Sequence, residues 1–173
     1  MLKTHLLETI QNQASFASFS DQKVSDEDLL TIAEAGRNSP TELYQEKRIF
    51  TIVKKEEIID RLIHELGQAL NKDNYSFFNP AALLIISVPE DSPYSLFEIG
   101  SISQSIMLAS SALGVGAIWS GQIPYFSDRP KVIEIFNELE IPENHYSLNL
   151  MALGVPAQKI EAEESSEEIN IIE

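Results

Sequence analysis

The chain contains no cysteine, which removes disulfides, thiolate zinc sites and a catalytic thiol together and leaves packing to hold the fold. Arginine is almost as scarce. Arg37, Arg48, Arg61 and Arg129 are the only four, and 12 basic residues in all face 27 acidic ones for a formal net charge of −15. Duplex nucleic acid and anionic membranes demand clustered cations, so neither is expected as a partner. No apolar run approaches the roughly 20 residues of a transmembrane helix, and the opening MLKTHLLETI lacks the apolar centre of a signal peptide. A soluble, cytoplasmic protein is the expectation. The three histidines, His5, His64 and His145, fall in separate elements. Asp60 and His64 stand at helical spacing without a third ligand nearby, so no metal site is expected. No serine sits in a G-x-S-x-G elbow and no carboxylates pair as acid and base, so no catalytic side chain can be named. Any enzymatic reading therefore turns to a cofactor that brings its own reactivity.

What is present is enough for one domain. A chain of 173 residues with 43% hydrophobic content can bury a proper core. Residues 1–158 are read as that domain and 159–173 as an acidic arm, because the stretch from Ile160 onward carries six glutamates and no basic residue. By composition the arm is loosely held, yet Ile169, Ile171 and Ile172 could lie on a groove or add a strand to a partner's sheet.

Residues 3–13 read as an amphipathic helix with Leu6, Leu7 and Ile10 on one side, followed by a polar link, ASFASFSD. Ser25 then has the form of an N-cap with Asp28 at the third helical position, opening a helix that stops near Arg37. Asn38-Ser39-Pro40-Thr41 forces a turn, since the residue before proline leaves helical geometry. The alternation in RIFTIVK predicts a strand over 48–54, and Ile58, Ile59, Leu62, Ile63 and Leu66 give the dry side of a helix over 55–70. AALLIISV, residues 81–88, is a central strand. Pro130 starts a short helix reaching about Leu139, and Tyr146 to Leu153 alternate as the last core strand. Helices and strands do not alternate with the cadence of a doubly wound sheet, and no G-x-G-x-x-G follows a first strand. The fold class expected is α+β, a mixed or antiparallel sheet of four or five strands flanked by helices.

The run from Glu98 to Gly121, EIGSISQSIMLASSALGVGAIWSG, is the most telling. Ile99, Ile102, Ile106, Ala109 and Leu113 recur at three- and four-residue steps, while Gly100, Ser101, Ser103, Ser105, Ser110 and Ser111 keep the rest of the cylinder small. Such a helix is built to be packed on several sides. Gly114 stands where a left-handed C-cap is expected, with Val115 to Trp119 as a short strand behind it.

Taken in order, the ASFASFSDQKVSDEDL link, the Asn-Ser-Pro-Thr turn, the strand, E-x-G-x-x-x-Q on a small-residue helix, LGVGAIWSG and MALGVPA resemble the flavin-dependent nitroreductase family over residues 5–157. The resemblance implies an intertwined α+β homodimer that binds flavin mononucleotide (FMN) between subunits. It further implies NAD(P)H as reductant and ping-pong hydride transfer through the flavin to a nitroaromatic, quinone or similar small electron acceptor. On this likeness Ser15 is similar to the serine of the phosphate-binding stretch, and Ser39, Pro40 and Thr41 resemble the turn beside the flavin. Gln104 resembles a recurrent polar position on the buried helix, and Trp119, Ser120 and Gly121 the segment that lines the flavin from the other subunit.

The chain is a divergent case of the pattern. Gln13, Ala14 and Ala17 stand where the family has phosphate-binding arginines. Tyr44, Gln45, Glu46, Lys47 and Arg48 replace its Asn-x-Gln-Pro-Trp, and the acidic arm replaces a basic residue near the carboxyl terminus. Neutral side chains cannot match bidentate arginine on a phosphate dianion. Flavin should then be held weakly, or Lys47, Arg37 or Arg48 must serve from new directions. The alternative is a flavin-poor or flavin-free subunit of the same fold, one half of a heterodimer.

Overall fold

The computed structural model describes residues 2–11, 13, 18–40, 47–89, 95–121, 126–158 and 168–172. Nine elements follow one another among them: α1 (Leu2–Gln11), α2 (Asp26–Arg37), β1 (Ile49–Val53), α3 (Glu56–Ala69), β2 (Ala82–Pro89), α4 (Ser95–Ala112), β3 (Gly116–Ser120), α5 (Pro130–Glu138) and β4 (His145–Gly154). The strands form one sheet in the order β1-β2-β4-β3, and every neighbouring pair is antiparallel. The α+β expectation holds, and the sheet is antiparallel rather than mixed.

β2 is buried along its whole length because both faces of the sheet are covered. Alternate residues of β2 and β4 divide between two cores. Leu83, Ile85, Leu150 and Ala152 pack against α3 and α5 with Leu62, Leu66, Val132 and Phe136. Leu84, Ile86, Met151 and Leu153 pack against α2 and α4 with Leu29, Ile32, Ile102 and Ile106. The helix starts follow local chemistry. Ser25 accepts the Asp28 amide and donates to the Asp28 carboxylate at 2.6 Å, closing α2 from its N-terminus. Pro130 occupies the first turn of α5, where its missing N–H costs nothing. The α3 stripe is buried as expected, together with Glu65, whose carboxylate is held by Arg129 at 3.3 Å and Lys131 at 3.5 Å.

The polar link after α1 closes onto the end of β4. Phe19 bridges Pro156, the Ser20 amide donates to Val155 O at 2.8 Å, and the Ala157 amide donates to Ser18 O at 3.1 Å. Gly114 has φ of +72°, the left-handed cap that its position implies. Two expectations need correction. Leu113 lies past the end of α4 and is 41% exposed, so the apolar stripe stops at Ala109. Gly100 and Gln104 are also exposed, so within one chain α4 keeps an open side. Among the described residues no helix is long and apolar enough to cross a membrane. Of the arm, residues 168–172 carry no regular structure and Ile169, Ile171 and Ile172 are exposed; 159–167 lie outside the described residues.

Two contacts set the height and register of α4. A Cβ at Gly36 would stand 2.8 Å from Ile106 Cδ1 and Cγ1 and 3.1 Å from Phe50, whereas one at Gly100 would meet nothing within 4 Å. Below, the Asn149 amide donates to Ser103 Oγ at 2.7 Å between the sheet and the helix, with both residues buried. Gly36→Ala gains about 1 kcal/mol of helix propensity but must displace two packed side chains, which costs about 1–3 kcal/mol. Denaturant unfolding should therefore show Gly36→Ala neutral to destabilising by about 2 kcal/mol and Gly100→Ala stabilising by up to about 1 kcal/mol. Ser103→Ala should cost about 1–3 kcal/mol by leaving the Asn149 amide without its acceptor, and Ser103→Ala with Asn149→Leu should cost less than the two changes summed.

Candidate cofactor site

The turn after α2 is built by closing the helix. The Asn38 amide donates to Glu34 O at 2.9 Å, the Ser39 amide to Gly36 O at 3.1 Å, and Ser39 Oγ to Ala35 O at 3.2 Å. Ser39 is thereby buried and its hydroxyl proton committed to the helix. It shapes the turn rather than offering a free donor to a ligand. Pro40 is exposed beside it, and its carbonyl accepts Ser101 Oγ from α4 at 3.3 Å. Thr41 lies outside the described residues.

One turn further along α4, the Gln104 amide donates to the Gln13 amide oxygen at 3.0 Å. Pro40, Ser101, Gln104 and Gln13 thus run side by side along the open side of α4. Ser15 lies outside the described residues, two positions beyond Gln13. Gly100, exposed one residue before Ser101, leaves this surface without a side chain at that point. The arrangement offers a carboxamide pair and a flat, small-residue floor, which suits the edge and face of a planar heterocycle.

The β3 residues divide. Trp119 pairs in register with Met151 and Leu84, which face α2 and α4. It is 45% exposed, and its indole lies 3.8 Å from where a Gly121 Cβ would stand. Ser120 pairs with Leu150 and Ile85, which face α3 and α5, and its buried Oγ has no hydrogen-bond partner. The period-two alternation of a strand explains the split: if Trp119 looks toward the α4 layer, Ser120 cannot. Ser120 can reach a ligand on that side only through its backbone. Trp119 and Gly121 share the α4 side of the sheet with the Pro40–Gln104 surface, and among the described residues no hydrogen bond joins them to it.

The cations are placed unevenly. Arg37 is well exposed at the end of α2, paired at 3.3 Å only with Glu34 one turn back. Arg48 is turned inward: it is 9% exposed, its Nη2 donates to Arg37 O at 3.5 Å, and its Nε and Nη1 have no hydrogen-bond partner among the described residues. Burial pushes its pKa down, and the charge of Glu98 pulls it back up. Arg48 therefore does not serve as an outward phosphate clamp, and sequence reasoning missed its partner. Glu98 is buried with both carboxylate oxygens unpartnered. A charged residue within E-x-G-x-x-x-Q was the only local signal of it.

A groove of about 1320 Å³ opens elsewhere, between α3, the Ser20–Val24 segment and the 72–81 loop, lined by Lys23, Lys54, His64, Lys72 and Tyr75 among others. None of the described candidate residues lines it. The candidate site is a surface in a single chain, not a cavity.

Comparison with known proteins bears on the fold and the family. A protein of Archaeoglobus fulgidus provisionally named NADH dehydrogenase/NAD(P)H nitroreductase is 26% identical over 168 residues, covering 95% of this chain and 92% of that protein. The crystal structure of a nitroreductase with bound FMN from Bacteroides fragilis has a TM-score of 0.85 at 24% identity, covering 97% of this chain and 98% of that one. Another nitroreductase with bound FMN, from Desulfitobacterium hafniense, has a TM-score of 0.81 at 21% identity, covering 97% and 98%. At these identities the two structures show the fold alone. The model of the nitroreductase family matches residues 11–155, and the chain belongs to that family.

Proposed function

We propose that the chain is an FMN-dependent NAD(P)H oxidoreductase that works as a dimer of identical chains and reduces a nitroaromatic, quinone or similar small acceptor in a ping-pong cycle. That it is an oxidoreductase follows from the family; the flavin, the reductant, the acceptor and the dimer are the proposal. The observation that carries it is the run of Pro40, Ser101, Gln104 and Gln13 on the open side of α4. Nitroreductases of this fold have been solved with FMN bound.

The residues present fit the ring better than the phosphate. Gln104 and Gln13 supply paired carboxamide donors and acceptors, Pro40 a rigid edge, and Gly100 an approach free of side chain. Bound there, FMN would supply the two-electron chemistry that no described side chain offers. This chain's part is to orient the ring, exclude water from one face and leave the other open to substrate. A second copy would present Trp119 and Gly121 across the site and cover α1, whose Leu6, Leu7 and Ile10 are exposed. An interfacial site explains why a single chain shows a shelf instead of a pocket.

Arg37 is the described cation beside the turn, and it is the residue proposed to meet the phosphate. Its pair with Glu34 is exposed on both sides and so worth little. A flavin-poor subunit is the second reading, favoured by the inward commitment of Arg48.

FMN titration separates the two. Ligand at a hundredfold its Kd stabilises the folded state by about 2.7 kcal/mol, which for a domain of this size raises Tm by about 5–10 °C. A rise of that order, with yellow protein whose flavin is bleached by NADH or NADPH, is expected. Colourless protein whose Tm does not move at saturating FMN would exclude the flavin reading in favour of the flavin-free subunit.

A further inference from the structure

We propose that Arg48 and Glu98 form a buried charge couple whose task is to position the Asn38–Pro40 turn, and hence the edge of the cofactor shelf. The inference rests on the flavin reading for its purpose. Its structural content stands on the couple itself.

The last four carbonyls of a helix have no partner within it, and each must be met from outside. In α2 the accounting closes with one long-range donor. Glu34 O accepts the Asn38 amide, Ala35 O accepts Ser39 Oγ, and Gly36 O accepts the Ser39 amide. Arg37 O remains, and it accepts Arg48 Nη2 at 3.5 Å. The guanidinium thus sits at the negative end of the α2 dipole, directly under the turn.

Arg48 comes to that place from the position just before β1. Phe50, two residues later, packs in the α2/α4 core, and strand alternation puts Arg48 on the same side. Glu98 comes from α4, three residues before Ser101, so the two lie on neighbouring turns of one helix face. Ser101 already holds Pro40 O. The turn is therefore fixed at two carbonyls, at Pro40 directly from α4 and at Arg37 through Arg48.

A guanidinium that is 9% exposed needs a counter-charge, and Glu98 at 7% exposed supplies it. The field of Glu98 acts on Arg48, yet no hydrogen bond or contact within ion-pair distance joins them among the described residues. Glu98 compensates the Arg48 charge without being its hydrogen-bond partner. Losing either leaves an isolated buried charge, which is far costlier than losing both.

Arg48→Met, Glu98→Gln, Arg48→Lys and the double variant Arg48→Met/Glu98→Leu test the proposal by three readouts: Tm, hydrogen exchange at the Asn38 and Ser39 amides, and FMN affinity from fluorescence quenching. Arg48→Met and Glu98→Gln should each lower Tm by about 10 °C. The double variant should regain at least half of the summed loss, because no lone charge remains inside. It should nonetheless exchange Asn38 and Ser39 at least tenfold faster than the parent and bind FMN at least tenfold more weakly, since nothing holds Arg37 O. Arg48→Lys keeps the charge without the fork and should fall between the parent and Arg48→Met in Tm and exchange.

A double variant whose loss in Tm equals the sum of the single losses would overturn the couple. Parent-like exchange and FMN affinity in a recovered double variant would overturn the positioning role. Failure of the parent chain to take up FMN would sink the flavin reading alone, while Tm and exchange still decide whether the couple holds the turn.

Discussion

The closeness of α2 to α4 is the constraint on which the candidate site depends. It is possible because Gly36 has no side chain, a Cβ there having 2.8 Å to Ile106 and 3.1 Å to Phe50. With the two helices in contact at that point, the end of α2 arrives beside Ser101, and Pro40 O comes within reach of its hydroxyl. A wider crossing would still bury Ile32 and Ile102, but it would carry the turn away from the helix that supports it. Packing density converts a missing methyl group into the position of a polar surface. The same seam fixes the far side of α4, since Ser103 is then directed at Asn149 in the sheet.

What the sequence disclosed is what local physics determines. The Ser25 cap and the Asp28 carboxylate are three residues apart and make their hydrogen bonds unaided. Gly114 at φ +72° and Pro130 in the first turn of α5 follow from backbone geometry alone. The α3 stripe and the apolar β2 run are burial patterns that need only their own period. What local physics does not determine was missed. Asn149 and Ser103 are 46 positions apart, and neither carries a local mark of the other. Phe77, Phe78 and Asn79 adopt consecutive positive φ values of 45°, 67° and 54°, a run that two aromatics do not announce. Phe77 tolerates it because its ring is buried in the α3 core, so tertiary burial overrides backbone preference.

Of the candidate site, the sequence located the α4 surface and the turn but not the direction of each side chain. In sequence Ser39 resembles part of the turn beside the flavin, and its hydroxyl is taken by a helix carbonyl. Ser120 and Trp119 looked like one unit, and the strand's alternation sends them to opposite layers. Small residues on α4 implied packing on several sides, whereas one chain covers only part of the helix. That last mismatch has a physical reading: an open stripe of small residues is what a helix shows when a neighbouring backbone or a flat ligand belongs against it.

The acidic excess makes the placement of cations a selective matter. All four arginines are engaged with carboxylates of the chain itself, but at different depths. Arg129 serves the buried Glu65, Arg48 lies in the field of the buried Glu98, and Arg61 bonds Glu138 across α3 and α5 at 2.6 Å. Withdrawing Arg48 would leave the interior carboxylate of Glu98 uncompensated, and withdrawing Arg129 would leave Glu65 to Lys131 alone. Arg37 pairs only with Glu34, and both side chains are more than 60% exposed, so water can replace either partner at little cost. An anion arriving at the turn can therefore recruit Arg37 without unmaking the core, and no other arginine can be recruited so cheaply. The dipole argument adds a limit, because α2 presents its negative end there. Part of Arg37's charge is spent offsetting that end before a phosphate can use it. For the phosphate contact proposed for Arg37, affinity would be set by the competition between the helix terminus and the ligand for one guanidinium, and Arg48, which donates to the carbonyl of Arg37 from below, would tip that competition toward the ligand.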